Sequence, residues 1–186
     1  MKYEEKTLNR KEMFNGQIIQ VCVDDVRLPD GNKAKRELVF HKGGVGIICF
    51  TAEGNMIFVR QFRKPIEREI LEIPAGKIEL GEQEPLHTAK RELEEETNYQ
   101  AENWTLVQSM VLSPGFCNET MYIYEAKNLK KVENPLPKDE DEFLDLVFLD
   151  LAEAKAAVQS GDICDAKTLF AVQYWEMQTL KRRDKF

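Results

Sequence analysis

The stretch between residues 73 and 98 constrains this chain more than any other. Ile73-Pro74-Ala75-Gly76 reads as the end of a strand. Proline stops regular pairing, and glycine permits a sharp bend or the close approach of a ligand. Gly81 offers a second bend, and Pro85 suits the first turn of a helix, where its missing N–H costs little. Beyond it, Leu86, Ala89, Leu93 and Thr97 recur at the spacing of an amphipathic helix. Glu92, Glu95 and Glu96 then share an adjoining face, because residues three and four apart on a helix are neighbours. Like charges so placed destabilise an isolated helix. Such a cluster is either a solvated acidic face or a set of carboxylates holding a counter-charge, and hard divalent cations take oxygen ligands.

The remaining pattern is mixed. Strands are expected at about residues 17–28 and 34–42, joined by the turn Leu28-Pro29-Asp30-Gly31-Asn32 into an N-terminal hairpin. Apolar strands follow at 45–51 and 56–62 around a second hairpin turn, then a short extended piece at 70–73. After the acidic helix, 104–112, 121–126 and 143–149 read as strands. Residues 151–159 and 166–181 read as helices, the latter with Asp165 as N-cap. A length of 186 residues suits one substantial domain with a small appended layer. The net charge of −7 weighs against a nucleic acid polymer as partner. No apolar run reaches membrane-spanning length, and the first residues do not read as a signal peptide. Cys22, Cys49, Cys117 and Cys164 are scattered without metal or disulfide spacing, as expected of a reduced, cytoplasmic protein.

The segment from Gly76 to Tyr99 resembles the signature box of the Nudix hydrolases, G-x5-E-x7-R-E-U-x-E-E-x-G-U with U apolar. Gly76, Glu82, Arg91, Glu92, Leu93, Glu95, Glu96 and Tyr99 occupy its positions. Two departures stand out. Eight residues rather than seven separate Glu82 from Arg91, so either Glu82 or Glu84 fills the first glutamate position. The box glycine is Asn98, the mildest replacement where a helix must end in the left-handed region.

The resemblance extends over nearly the whole chain and is closest to the ADP-ribose pyrophosphatase branch. It implies an α/β/α sandwich with a mixed sheet, residues 43–186, plus an N-terminal antiparallel β layer, residues 1–42, used in dimerisation and in the substrate site. It implies hydrolysis of the diphosphate of ADP-ribose, with GDP-mannose as an alternative substrate and a non-catalytic sensing module as a different class of function. The cofactor implied is Mg2+, with Mn2+ as the alternative. Its ligands would be Glu92, Glu96, Glu95 and the carbonyl of Ala75, with Arg91 orienting the carboxylates. Glu94, at a variable box position, reads as solvated. In the acidic run before the strand at 143–149, Glu142 is the implied general base and Glu140 the fallback. Substrate contacts are implied for Arg63 in Gln61-Phe62-Arg63, for Pro114 and Gly115 in Ser113-Pro114-Gly115-Phe116, for Arg36, and more weakly for Glu72 and Glu119. An ion pair of Arg63 with Glu67 or Glu72 is the structural alternative. His41 and His87 have no ligand spacing and read as structural.

Overall fold

The computed structural model describes residues 1–79, 81, 82, 84–137 and 143–183. They divide into two compact units. Met1–Gly43 and Met110–Met121 make the first, and Gly44–Ser109 with the chain from Tyr122 onward makes the second.

The first unit is built on a three-stranded antiparallel sheet in the order β1 (Lys6–Asn15), β2 (Ile19–Arg27), β3 (Lys33–His41). The hairpin between β2 and β3 forms where proline and Asp-Gly foretold it. Gly31 has φ 91°, Leu28 N–H donates to the Asn32 carbonyl at 2.8 Å, and the Asp30 carboxylate accepts from the Asn32 amide at 2.9 Å. Pairing then runs unbroken from Arg27–Lys33 to Ile19–His41. Strand β1 is an addition to the expected pattern. All ten of its residues are exposed, and its register against β2 slips twice, so no period-two alternation marks it. Its anchor is electrostatic. Asp24 on β2 is only 1% exposed, and Arg10 on β1 donates through Nε and Nη2 to its two oxygens, both at 2.8 Å. The Thr7 hydroxyl adds a third bond at 3.1 Å, and the Arg10 guanidinium lies over the Phe40 ring, 4.7 Å from its centroid. A buried carboxylate must be paired in this way. The Arg10 hydrogen bond holds the Asp24 carboxyl below its ordinary value, against the opposing effect of burial.

The second unit carries two sheets, β7–β4–β9–β8 and β10–β5–β6. Strand β4 (Gly44–Cys49) is buried throughout, and β5 (Met56–Arg63) over its first four residues. Such continuous apolar runs belong to strands covered on both faces. Helix α1 (Pro85–Thr97) lies on β4 and β7 (Ala75–Lys77), burying Ala89 and Leu93 in one cluster with Val45, Ile47 and Ile57. On the other sheet, α3 (Ala166–Arg183) touches β6 (Arg68–Glu72), and α2 (Leu151–Ser160) touches β10 (Leu144–Leu149). This is the expected α/β/α plan. Strand β8 (Tyr99–Val111) starts directly after α1 rather than at residue 104, and β9 (Thr120–Lys131) is longer than expected. Helix α2 opens with a reciprocal cap. Glu153 N–H donates to Asp150 at 2.8 Å, and the Glu153 carboxylate accepts from the Asp150 amide at 2.9 Å. Asp165 caps α3 by accepting the Thr168 amide at 3.2 Å, as its position promised.

Candidate active site

After β6 the chain passes Ile73-Pro74 and re-enters a sheet as β7, pairing Ala75 with Gly46 and Gly76 with Val45. This sets Gly76 directly against α1. A Cβ at Gly76 would stand 1.9 Å from Glu92 Oε1 and 2.0 Å from its Cδ. The glycine is therefore required by close approach, and the approaching group is the Glu92 side chain of the protein itself rather than the ligand expected from sequence. Its neighbour Ala75 donates its amide to Glu96 Oε2 at 3.0 Å. Glu92 and Glu96 are only 7% and 1% exposed, so this pair of carboxylates is built into the wall between β7 and α1.

The helix presenting them is bounded as expected. Pro85 stands at its start, and Asn98 ends it at φ 61°, its amide donating to the Glu94 carbonyl at 2.9 Å. The Thr97 hydroxyl returns to the Leu93 carbonyl within the buried stripe. Arg91 resolves the repulsion among the acids. Its Nη1 lies 2.7 Å from Glu95 Oε2 and 3.0 Å from Glu92 Oε1, while Nε reaches Glu82 Oε1 at 3.4 Å. The other oxygen of Glu82 accepts from the Thr88 hydroxyl at 2.7 Å and the Glu79 amide at 3.0 Å. It is thus Glu82 that stands against Arg91, whereas Glu84 is the N-cap residue of α1 and makes no capping bond with its side chain. Burial works against ionisation of Glu82, but the bonds from Thr88, Glu79 and Arg91 outweigh it and hold the carboxyl below its ordinary value. Burial likewise opposes the charge on Arg91, and the fields and hydrogen bonds of Glu92, Glu95 and Glu82 overcome it, raising its pKa further. Glu94, expected to be solvated, is part-exposed and hydrogen-bonded. Its two oxygens accept from Gln100 Nε2 at 2.7 Å and from the Leu136 amide at 3.2 Å.

A second charged group lies at the ends of β5 and β6. Arg63 donates through Nε to Glu72 Oε2 at 2.5 Å, and Lys167 Nζ donates to Glu72 Oε1 and, at 3.0 Å, to Asp165 Oδ2. Burial lowers the Arg63 pKa, but the Glu72 bond and the fields of Glu72, Glu96 and Asp165 more than offset it. Glu96 also adds to the burial that pushes the Cys49 thiol up. Lys167 was missed from sequence. The available signal was a cation in the first turn of a helix, where the dipole disfavours it, two residues after an aspartate.

In the first unit, Arg36 on β3 forms a two-bond fork with Glu5, Nε to Oε2 at 2.8 Å and Nη2 to Oε1 at 2.6 Å. Pro114 and Gly115 make a tight turn in which the Phe116 and Cys117 amides both donate to the Ser113 carbonyl. Glu119 Oε1 is 3.7 Å from His41 Nδ1. That nitrogen also accepts the Gly43 amide at 3.0 Å. Glu142 and Glu140 lie outside the described residues.

The donors on α1 are hard anionic oxygens, the chemistry that suits a small divalent cation. Among the described residues no three acidic, histidine or cysteine side chains already stand as a coordination sphere, and Arg91 meanwhile pairs with three of the acids. Carboxylates of this kind, with the Arg63 guanidinium in the field of Glu96, suit chemistry on a phosphate anion.

Comparison with known proteins agrees with this chemistry. The NUDIX domain family matches residues 40–169, and a nucleoside diphosphate sugar hydrolase N-terminal domain matches residues 5–39. A methanol dehydrogenase activator of Bacillus methanolicus is 48% identical over 95% of each chain. An ADP-ribose pyrophosphatase of Bacillus subtilis is 44% identical over 98% of each. A crystal structure of an ADP compounds hydrolase superposes with TM-score 0.82 over 98% of this chain and 97% of that one, and its 22% identity makes it a likeness of fold.

Proposed function

This chain belongs to the Nudix hydrolase family, and from that premise we propose that it is an ADP-ribose pyrophosphatase, hydrolysing ADP-ribose to AMP and ribose 5-phosphate. The observation that carries the reading is the wall of Glu92 and Glu96 against Ala75-Gly76, set in a chain 44% identical along 98% of its length to an enzyme of that name. Glu92, Glu96, Glu95 and the carbonyl of Ala75 would hold Mg2+, with Mn2+ as the alternative. When bound there, the ion supplies Lewis-acid polarisation of a phosphoryl oxygen and makes water more acidic.

The protein's own groups do the rest. Arg91 aligns the carboxylates, and Glu82 fixes Arg91 from its other side. Arg63 contacts the diphosphate with the edge of its guanidinium that Glu72 leaves uncovered. Glu72, with both oxygens given to cations, orients Arg63 rather than reaching ribose hydroxyls. Glu142 accepts the proton of the attacking water. Arg36, Pro114, Gly115 and Glu119 contribute the contacts that choose the nucleotide.

The partner is a second copy of this chain. Supporting this, Leu8, Met13 and Phe14 on β1 are 43%, 54% and 56% exposed in the single chain. A monomer mass in sedimentation at micromolar protein would overturn it. The compartment is the cytoplasm: all four cysteines are free thiols, and no described helix is long and apolar enough to cross a membrane. The decisive assay is AMP release in Mg2+ from ADP-ribose beside GDP-mannose, dinucleoside polyphosphates and oxidised dGTP. Preference for ADP-ribose is expected, and comparable turnover of all four would defeat the assigned specificity. A second reading rests on the 48% identity to the methanol dehydrogenase activator: the same chain raises the rate of a methanol dehydrogenase. Adding it to that dehydrogenase without effect would remove this reading.

A further inference from the structure

We propose that Lys167 is a positioning residue for the substrate diphosphate: by occupying one oxygen of Glu72, it keeps Arg63 engaged through Nε alone and leaves the Nη edge of the guanidinium for the ligand. The inference rests on the assignment of Arg63 to the diphosphate.

The Glu72 side chain is 4% exposed and has two oxygens for two cations, Oε2 for Arg63 and Oε1 for Lys167. A guanidinium facing a carboxylate favours two parallel hydrogen bonds. Arg36 and Arg10 adopt that fork with Glu5 and Asp24. Arg63 does not: its Nε reaches Oε2, while Oε1 is held by a full cation, Lys167 Nζ, rather than by a neutral hydroxyl such as the Thr7 group that shares Asp24 Oδ2 with Arg10. Among the described residues, the Nη atoms of Arg63 make no hydrogen bond, and its side chain remains 39% exposed.

Lys167 is held from several directions. Its side chain is only 9% exposed and bridges Glu72 and Asp165. Asp165 is fixed as the cap of α3 through the Thr168 amide, and the Thr168 hydroxyl accepts the Ile73 amide at 3.0 Å, one residue beyond Glu72. The helix start and the strand end are thereby tied at adjacent residues. A cation in the first turn of α3 opposes the helix dipole, so its place is explained by these partners and not by the helix. Without Lys167, Arg63 alone would answer two carboxylates, with the field of Glu96 added. The fork would then close on Glu72, and an incoming diphosphate would compete with a bidentate pair.

The test is Lys167→Met, read by steady-state kinetics on ADP-ribose, by calorimetric binding of ADP in metal-free buffer, and by thermal unfolding. KM should rise about tenfold with kcat changed by less than about threefold, the signature of lost binding common to ground and transition states. Affinity for ADP should fall in parallel. The double variant Lys167→Met/Glu72→Gln removes the charge that Lys167 offsets, and should recover most of the lost ADP affinity. A purely structural lysine would instead lower the melting temperature and the active fraction while leaving KM and ADP affinity as they were, and that result overturns the proposal. So does a double variant no better than the single. ADP binding needs no turnover, so failure of the wild type to hydrolyse ADP-ribose would count against the assigned reaction, whereas unchanged ADP affinity in Lys167→Met would count against the role of Lys167.

Discussion

Replacing Gly76 by alanine adds one methyl group at the closest approach in the candidate site. That methyl would stand 1.9 Å from Glu92 Oε1, 2.0 Å from Cδ and 2.6 Å from Cγ. Because carbon contacts are optimal near 3.5–4 Å, the carboxylate must retreat by roughly 1.5 Å. It has little freedom to do so. The Glu92 side chain is 9% exposed, it meets Arg91 at 3.0 Å, and Ala89 and Leu93 seat its helix in the core. Forcing a methyl into such a site costs about 1–3 kcal/mol. For a chain of this size each kcal/mol lowers the melting temperature by about 2–4 °C. Activity should suffer far more, since a displacement of about 1 Å in a reacting constellation costs on the order of 100-fold in rate. The assay pairs a thermal melt with AMP release from ADP-ribose across a magnesium titration. A folded Gly76→Ala protein with a rate within threefold of wild type and the same magnesium requirement would refute the argument that Gly76 exists to seat Glu92.

Three further outcomes are expected. Glu82→Gln should reduce turnover about 10- to 100-fold, as loss of an outer partner of a site carboxylate does, while Glu84→Gln stays within about twofold; equal effects in the rate assay would erase the distinction between them. Glu142→Gln should lose about 10²–10⁴ in rate with ADP affinity retained, and a nearly normal rate would move the base elsewhere, with Glu140 tested next. In the first unit, Asp24 contributes stability that is fully present above its ordinary value of 3.8 and is lost as pH falls through its depressed folded value. Melting temperature followed down from pH 5 should therefore decline less steeply in Asp24→Asn, and parallel curves would contradict this.

The local parts of this architecture were legible because local residues decide them. Pro85 and Asn98 bound α1, Asp165 opens α3, and Pro29 with Gly31 turns the β2–β3 hairpin. The acidic face was also visible from helix spacing, and Arg91 from its resemblance to the box arginine. Strand β1 was not. Its residues are exposed on both sides, and partner pairing with the Arg10–Asp24 fork makes it a strand. The short β7 is likewise defined by its pairing with β4. Lys167 and Glu72 stand 95 residues apart, and no periodicity reports a contact at that separation. The same holds for the exposed bond from Glu94 to the Leu136 amide, 42 residues away.

The central claim is that the α1 carboxylates packed against Ala75-Gly76 hold the divalent cation on which hydrolysis of the diphosphate depends. Glu96→Gln tests it most directly, because this side chain is 1% exposed and its amide analogue keeps the shape while removing the charge. Calorimetric magnesium binding and AMP release from ADP-ribose should be lost together in a protein that melts as a folded domain. Wild-type magnesium affinity with an undiminished rate would contradict the account.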